Sequence, residues 1–278
     1  MNEIPDPADF SPASEPIPPV IAPPTLAGRY QIDRILGTNA TGGRVTYLAH
    51  PCNPHQPDSK PDPKLEPSKV VIKEFQFAQT GGNWQGYDAI AREFEILQAI
   101  DHSGIPSYIE QLETDHAIYL VQTYKDAPTL AQRITAPNPA IDLATARQIA
   151  IDLLEILVYL QSRTPPILHR DLKPENILLS DIGEIFLVDF GFARRGVSGT
   201  GEGTASSLVR GTMGFMAPEQ ILNRPLTTAT DLYGLGATLV CWLTGTPSDC
   251  VGDWIGTGFR LEVDRAGATV ASPGAGSG

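Results

Sequence analysis

Between positions 169 and 191 the chain sets out groups that could act together on a charged ligand. His169-Arg170-Asp171-Leu172-Lys173-Pro174-Glu175-Asn176 brings a carboxylate, an ammonium and a side-chain amide within six residues, Asp171 to Asn176. Thirteen residues after Asn176 comes a second carboxylate, in Asp189-Phe190-Gly191. An amide oxygen and a carboxylate are hard donors of the kind Mg2+ prefers, and a lysine answers negative charge. Each residue alone would be read as a solvated loop charge. Eight specified positions in order arise by accident in a chain of this length with odds of roughly one in 10⁷.

Two further charges stand upstream. Lys73 closes the buried-strand pattern Val70-Val71-Ile72-Lys73, and Glu93 follows twenty residues later in Arg92-Glu93-Phe94-Glu95-Ile96-Leu97. Glu95 is the other carboxylate Lys73 could reach, from a different helix face. Ahead of them runs Leu36-Gly37-Thr38-Asn39-Ala40-Thr41-Gly42-Gly43-Arg44-Val45. Its glycines let backbone amides approach a phosphate with no Cβ in the way, and Asn39 tolerates left-handed backbone better than most residues. Alone, that run would read as an ordinary hairpin turn.

From about Tyr30 to Ile255 these motifs, in this order, resemble the eukaryotic-type (Hanks-type) serine/threonine protein kinase family, in a bacterial-like form. The resemblance implies an α+β, bilobal fold: a small β-rich N-lobe with one helix and a mainly α-helical C-lobe. It implies ATP and Mg2+ as cofactors and transfer of phosphate to serine or threonine on a protein substrate. By the same resemblance Asp171 matches the residue that orients the substrate hydroxyl and takes its proton, and Lys173 the one that neutralises the moving phosphoryl group. Asn176 and Asp189 match the magnesium ligands, Lys73 the strand lysine on the α- and β-phosphates, and Glu93 its helix partner. Phosphoryl transfer asks for positioning and charge neutralisation more than covalent chemistry, which is why such groups must converge.

The nucleotide pocket is expected from Gly37, Gly42, Gly43, Val45, Val71, Lys73, Gln122, Thr123, Lys125 and Leu178. Gln122 would guard the back of it, and backbone groups at Thr123 and Lys125 would meet adenine. The glycine loop departs from the family pattern by carrying Asn39 at its second glycine and by running one residue longer. Gly211-Thr212-Met213-Gly214-Phe215-Met216-Ala217-Pro218-Glu219 resembles the end of an activation segment. Thr212 would bond Asp171 and Lys173, which favours Ser/Thr over Tyr specificity. Arg170 before Asp171 suggests autophosphorylation in the loop, at Thr204, Ser206 or Ser207 among the candidates Ser198, Thr200, Thr204, Ser206 and Ser207. Asp231, in Asp231-Leu232-Tyr233-Gly234-Leu235-Gly236, would anchor the catalytic-loop backbone at the start of a buried helix.

The elements needed to hold these groups are legible in part. Strand-like runs occur at 44–49, 69–75, 117–122 and 185–188. Helical spacing links Ile90, Phe94, Leu97 and Ala99, and more clearly Leu143, Ala146, Ile149, Leu153, Ile156, Leu157 and Leu160, with Asp142 as N-cap. Residues 1–28 are expected to be a disordered proline-rich tail. Residues 29–124 form the N-lobe with a proline-rich insertion at 50–68, 125–256 a partial C-lobe, and 257–278 a flexible Gly/Ala-rich tail.

Composition removes other classes. A formal charge of −12 argues against nucleic acid. No apolar run reaches the roughly 18 residues that span a bilayer, and the first basic residue is Arg29, so a signal peptide is not expected and the cytoplasm is the default. Cys52, Cys241 and Cys250 are widely spaced and read as reduced, idle thiols, with no suitable zinc spacing to histidine.

After Ile255 the resemblance stops, whereas the family continues for several helices and supplies an arginine to the glutamate matching Glu219. The chain is therefore expected to be C-terminally truncated relative to the family, with an unpaired charge at Glu219 and marginal folding. Two other readings compete: a kinase-shaped binding module without activity, and a small-molecule kinase of the same fold. The retained set Lys73, Glu93, Asp171, Asn176 and Asp189 favours the enzyme, and the Ala217-Pro218-Glu219 segment favours a protein substrate.

Overall fold

The structure is a computed structural model that describes residues 25–39, 44–52, 69–76, 84–137, 139, 141–196 and 212–264. Its front half is an antiparallel six-stranded sheet, ordered β1-β2-β3-β4-β6-β5. The strands are β1 (Thr25–Leu26), β2 (Tyr30–Asn39), β3 (Arg44–Pro51), β4 (Val70–Gln76), β5 (Tyr108–Glu113) and β6 (Ala117–Thr123). Helix α1 (Trp84–Gln98) lies between β4 and β5 in sequence. It docks through Ile90, Phe94, Ile96 and Leu97, and Phe94 meets Phe75 edge-on at 5.7 Å.

Strand periodicity decides which side chains see the cleft. Register pairs Lys73 with Thr46 and Leu120, and Val71 with Leu48 and Gln122. Residues one step out of phase, Val45, Tyr47, Ala49, Val70 and Ile72, form a separate apolar cluster on the opposite face. A shift of one residue exchanges the faces.

The rear half holds α2 (Leu130–Ile134), α3 (Leu143–Gln161), α4 (Pro218–Ile221) and α5 (Ala229–Thr244). Between α3 and α4 lie the short strands β7 (Ile167–Leu168), β8 (Ile177–Leu179), β9 (Ile185–Leu187) and β10 (Arg194–Arg195). Asp142 caps α3 by accepting from the Thr145 N–H at 2.8 Å. Ala146, Ile149, Leu153, Ile156, Leu157 and Leu160 are buried as expected, but Leu143, in the first turn, is 75% exposed. Helix α5 stops at Gly245, whose φ of 65° suits a residue without Cβ. One apolar cluster runs unbroken from Phe75 and α1 through α3 to α5 and Trp254, so the two halves share a core.

Three boundaries differ from expectation. The sheet begins at Thr25, inside the tail expected over 1–28, because Leu26 is buried and the pair Thr25–Leu26 adds to β2. His50 and Pro51 belong to β3, so the insertion expected over 50–68 starts later, and 53–68 lie outside the described residues. Residues 257–264, expected as tail, are ordered by a bridge between Ile255 and Leu261 and by the Glu262 N–H donating to the Trp254 carbonyl at 2.8 Å. Leu261 packs on the core, which is why the chain folds back there.

Glu219 forms no ion pair among the described residues, but its carboxylate is not stranded. Glu219 is only partly buried, and its Oε1 accepts from the Thr230 hydroxyl at 2.8 Å, so solvent and the first turn of α5 meet it where the family would place an arginine.

Candidate active site

Apart from a single 3-10 turn at Pro174–Asn176, the segment from His169 to Asn176 has no helix or ladder to hold it, and α5 supplies the missing scaffold. Buried Asp231 accepts from the His169 N–H at 3.0 Å and from the Arg170 N–H at 2.7 Å. Gln220 adds a second tie, donating to the Arg170 carbonyl at 2.9 Å while accepting from the Ala217 N–H at 3.0 Å. Nothing in its sequence position beside Glu219 announced that role. Arg170 and Asp189 both have positive φ, 70° and 64°, conformations that non-glycine residues hold only where surroundings impose them.

Around Asp171 the polar atoms form one network. Its buried carboxylate receives the Asn176 amide at 2.9 Å, pairs with the Lys173 ammonium at 3.1 Å, and accepts from the Thr212 N–H at 3.3 Å. Lys173 also donates to the Thr212 hydroxyl at 2.6 Å. Asn176 spends its amide nitrogen on Asp171, with a second bond to the Asp171 carbonyl at 2.8 Å, which leaves its oxygen as the group to offer a cation.

Facing this network, Lys73 donates to Glu93 Oε1 at 3.1 Å and to Asp189 Oδ1 at 3.0 Å. Glu93 therefore takes the partner position, and Glu95 points to solvent. Burial works against the charge on Lys73, yet the carboxylates of Asp189 and Glu93 together raise its pKa above the ordinary lysine value. Burial would likewise push the Asp189 carboxyl up. Lys73, aided by Arg44 and His169, more than reverses this and holds it below the usual carboxylate range. Phe190, between these charges and the core, is buried edge-on against His169 at 4.8 Å.

A cavity of about 470 Å³ opens between the two halves, lined among others by Gly37, Thr46, Val71, Lys73, Gln122, Thr123, Lys125, Asn176, Leu178 and Asp189. Among the described residues, and apart from its own chain neighbours, no atom lies within 4 Å of where a Cβ on Gly37 would sit. Buried Gln122 donates to the Pro106 carbonyl at 3.4 Å. The Thr123 N–H is already bonded to the Ser107 carbonyl at 3.0 Å, so a ligand would meet the Thr123 carbonyl instead. Lys125 turns its ammonium over the Phe186 ring at 4.6 Å.

One expected residue does not reach the cavity. Val45 is buried on the far face of the sheet, and Thr46 stands in its place, across the ladder from Lys73. The reading from the glycines slipped by one position, and the register against β4 fixes the phase. Gly42 and Gly43 lie outside the described residues, as do Ser198, Thr200, Thr204, Ser206 and Ser207.

Comparison with known proteins closes the question of family. The protein kinase domain model matches residues 64–250, well over half of the chain. The chain belongs to the protein kinase family. Serine/threonine-protein kinase D of Synechocystis is 37% identical over 226 residues, covering 78% of this chain and 41% of that protein. Serine/threonine-protein kinase PknA of Nostoc is 32% identical, covering 79% of this chain and 38% of that protein. PrkC of Bacillus subtilis, also a serine/threonine-protein kinase, is 32% identical, covering 79% and 31%. The kinase chain thus spans less than half the length of these relatives.

Proposed function

We propose that this chain transfers the γ-phosphate of ATP to serine or threonine hydroxyls of protein substrates. The observation that carries the reading is the network joining Thr212, Lys173, Asp171 and Asn176, set across the cavity from the Lys73–Glu93–Asp189 cluster. Lysine and threonine around Asp171 are the pairing expected for Ser/Thr specificity, and the relatives named above are all serine/threonine-protein kinases.

Asp171 would orient the substrate hydroxyl and accept its proton as that oxygen bonds to the γ-phosphorus and the bond to the β-phosphate breaks, releasing ADP. Lys173 would balance charge on the moving group and Lys73 on the α- and β-phosphates. Adenine would lie between Val71 and Leu178, against Gln122 and the backbone of Thr123 and Lys125. Among the described residues no group of three or more His, Cys, Asp or Glu could hold a metal alone. Mg2+ is ordinarily held by one or two side chains together with substrate phosphates, so the Asn176 oxygen and the Asp189 carboxylate suit it. When bound, it would neutralise charge on the phosphates.

Autophosphorylation at Thr204, Ser206 or Ser207 belongs to the same reading. Mass spectrometry of ATP-treated protein finding no phosphate between 196 and 213 would dismiss it. No helix among the described residues is long and apolar enough to cross a membrane, and a cytoplasmic location is proposed on that footing.

The test is a radiolabelled-ATP assay on a generic protein substrate with phosphoamino-acid analysis. Label on phosphoserine or phosphothreonine, lost in Asp189→Ala, is the expected result. ATP binding without transfer would identify a binding module, and label confined to small molecules would identify a different acceptor class.

A further inference from the structure

Glu93 is the least exposed charge in the site, with no side-chain surface open to solvent. Lys73 satisfies its Oε1, but Oε2 is buried and accepts no hydrogen bond from the described residues. A carboxylate oxygen in that state is expensive unless a cation stands near it. The cation that does so is Arg44, whose Nη2 lies 3.8 Å from Oε2, within ion-pair range and beyond hydrogen-bond range.

Two further contacts place the same guanidinium. It lies over the Phe75 ring, 4.9 Å from the centroid, on the strand directly paired with its own. Its Nη1 also fills the space over Gly191, so that a Cβ added to Gly191 would collide with it. Arg44 does not line the nucleotide cavity and keeps 27% of its side chain exposed. It sits behind the cavity, where β3, α1 and the Asp189-Phe190-Gly191 turn meet.

We infer that Arg44 is a positioning residue: its guanidinium clamps the second oxygen of Glu93 and the Asp189-Phe190-Gly191 turn to β3, so that α1 keeps its place when Lys73 turns toward a phosphate. Lys73 alone has to serve Glu93, Asp189 and the nucleotide. The planar fork of an arginine, stacked on Phe75, relieves it of part of that load. The purpose of the clamp rests on the phosphotransfer reading, while its geometry does not.

The test is amide hydrogen exchange on the full chain without nucleotide. Arg44→Ala should speed exchange of α1 and the 189–191 turn by at least about fivefold, leaving α3 and α5 as in the wild type. Arg44→Lys, with charge but no fork, should fall between. In a Glu93→Gln background the same Arg44→Ala change should add less than about twofold, because both act through one contact. Exchange of α1 unchanged in Arg44→Ala, or raised equally in α3 and α5, or fully additive with Glu93→Gln, would overturn the inference. In the transfer assay Arg44→Ala should lower kcat several-fold while moving the KM for ATP by less than about twofold, since the residue is outside the cavity. A wild-type chain with no transfer activity would sink the proposed function and leave the exchange result to decide on Arg44.

Discussion

Asn176 donates its side-chain amide to both the carbonyl and the Oδ2 of Asp171, at 2.8 and 2.9 Å, so the proposed base and a proposed metal ligand are one mechanical unit. Replacing either disturbs both. Asn176→Ala should therefore reduce kcat by about 10² or more through misplacement of Asp171 alone, and should also raise the Mg2+ concentration needed for half-maximal rate. Initial rates over a magnesium titration check this. A loss repaired completely by high magnesium would mean that Asn176 matters only as a ligand.

The ion pair between Lys73 and Asp189 gives stability a pH dependence whose sign follows from the lowered carboxyl. The folded chain takes up that proton less readily than the unfolded chain does. The contribution is fully present above about pH 4, the ordinary aspartate range, and is lost as pH falls through it and below. Asp189→Asn should thus lose less stability than the wild type between about pH 5 and 3, seen as a shallower fall of the urea midpoint. Because Asp189 keeps 38% of its side chain open to the cleft, solvent screening moderates the effect. Equal slopes for the two proteins would contradict the pairing.

Helix α5 offers two glycines with opposite expectations. A Cβ on Gly234 would come within 2.9 Å of the Leu172 carbonyl, the point where the helix and the 169–176 loop touch. Gly234→Ala should destabilise by about 1–3 kcal/mol through overpacking. Gly236 is exposed and, apart from its own helix, no atom of the described residues lies within 4 Å of that position, so Gly236→Ala should stabilise by about 0.5–1 kcal/mol. Urea unfolding of the two variants checks both signs.

Asp231 is the deeper tie between the same two elements. Asp231→Ala strands two buried N–H groups and should cost about 2–5 kcal/mol. Chemical denaturation measures it, and a cost near zero would show that the catalytic loop holds its shape unaided.

The three thiols should separate under a maleimide at neutral pH. Cys250 is exposed and should label first. Cys241 is buried and its pKa is pushed up to about 12, chiefly by burial, so it should label only on unfolding. Cys52 is buried and raised in the same direction. Peptide mapping of the modified protein distinguishes them.

What could be read from residues alone was which polar groups would converge, because Asp171, Lys173, Asn176 and Asp189 sit in two short motifs whose spacing survives any fold detail. Helix α3 was equally plain, since its buried positions recur at helical spacing behind a capping aspartate. The strands were harder. Tyr108–Glu113 is an edge strand with a half-exposed, glutamate-bearing pattern and gives no clean alternation. Val45 failed for the opposite reason. Two adjacent residues were both plausible, and only the register against Val70–Gln76 shows that Thr46 faces the cavity. The contact between Arg44 and Glu93 crosses 49 positions and has no local signature at all.

The unbroken apolar cluster from Phe75 to Trp254 bears on how the cleft can open and shut. Two separately cored bodies joined at a hinge would swing freely. Here the two halves share apolar side chains, so a wider cleft would have to shift contacts inside that common interior and not merely swing about an empty joint.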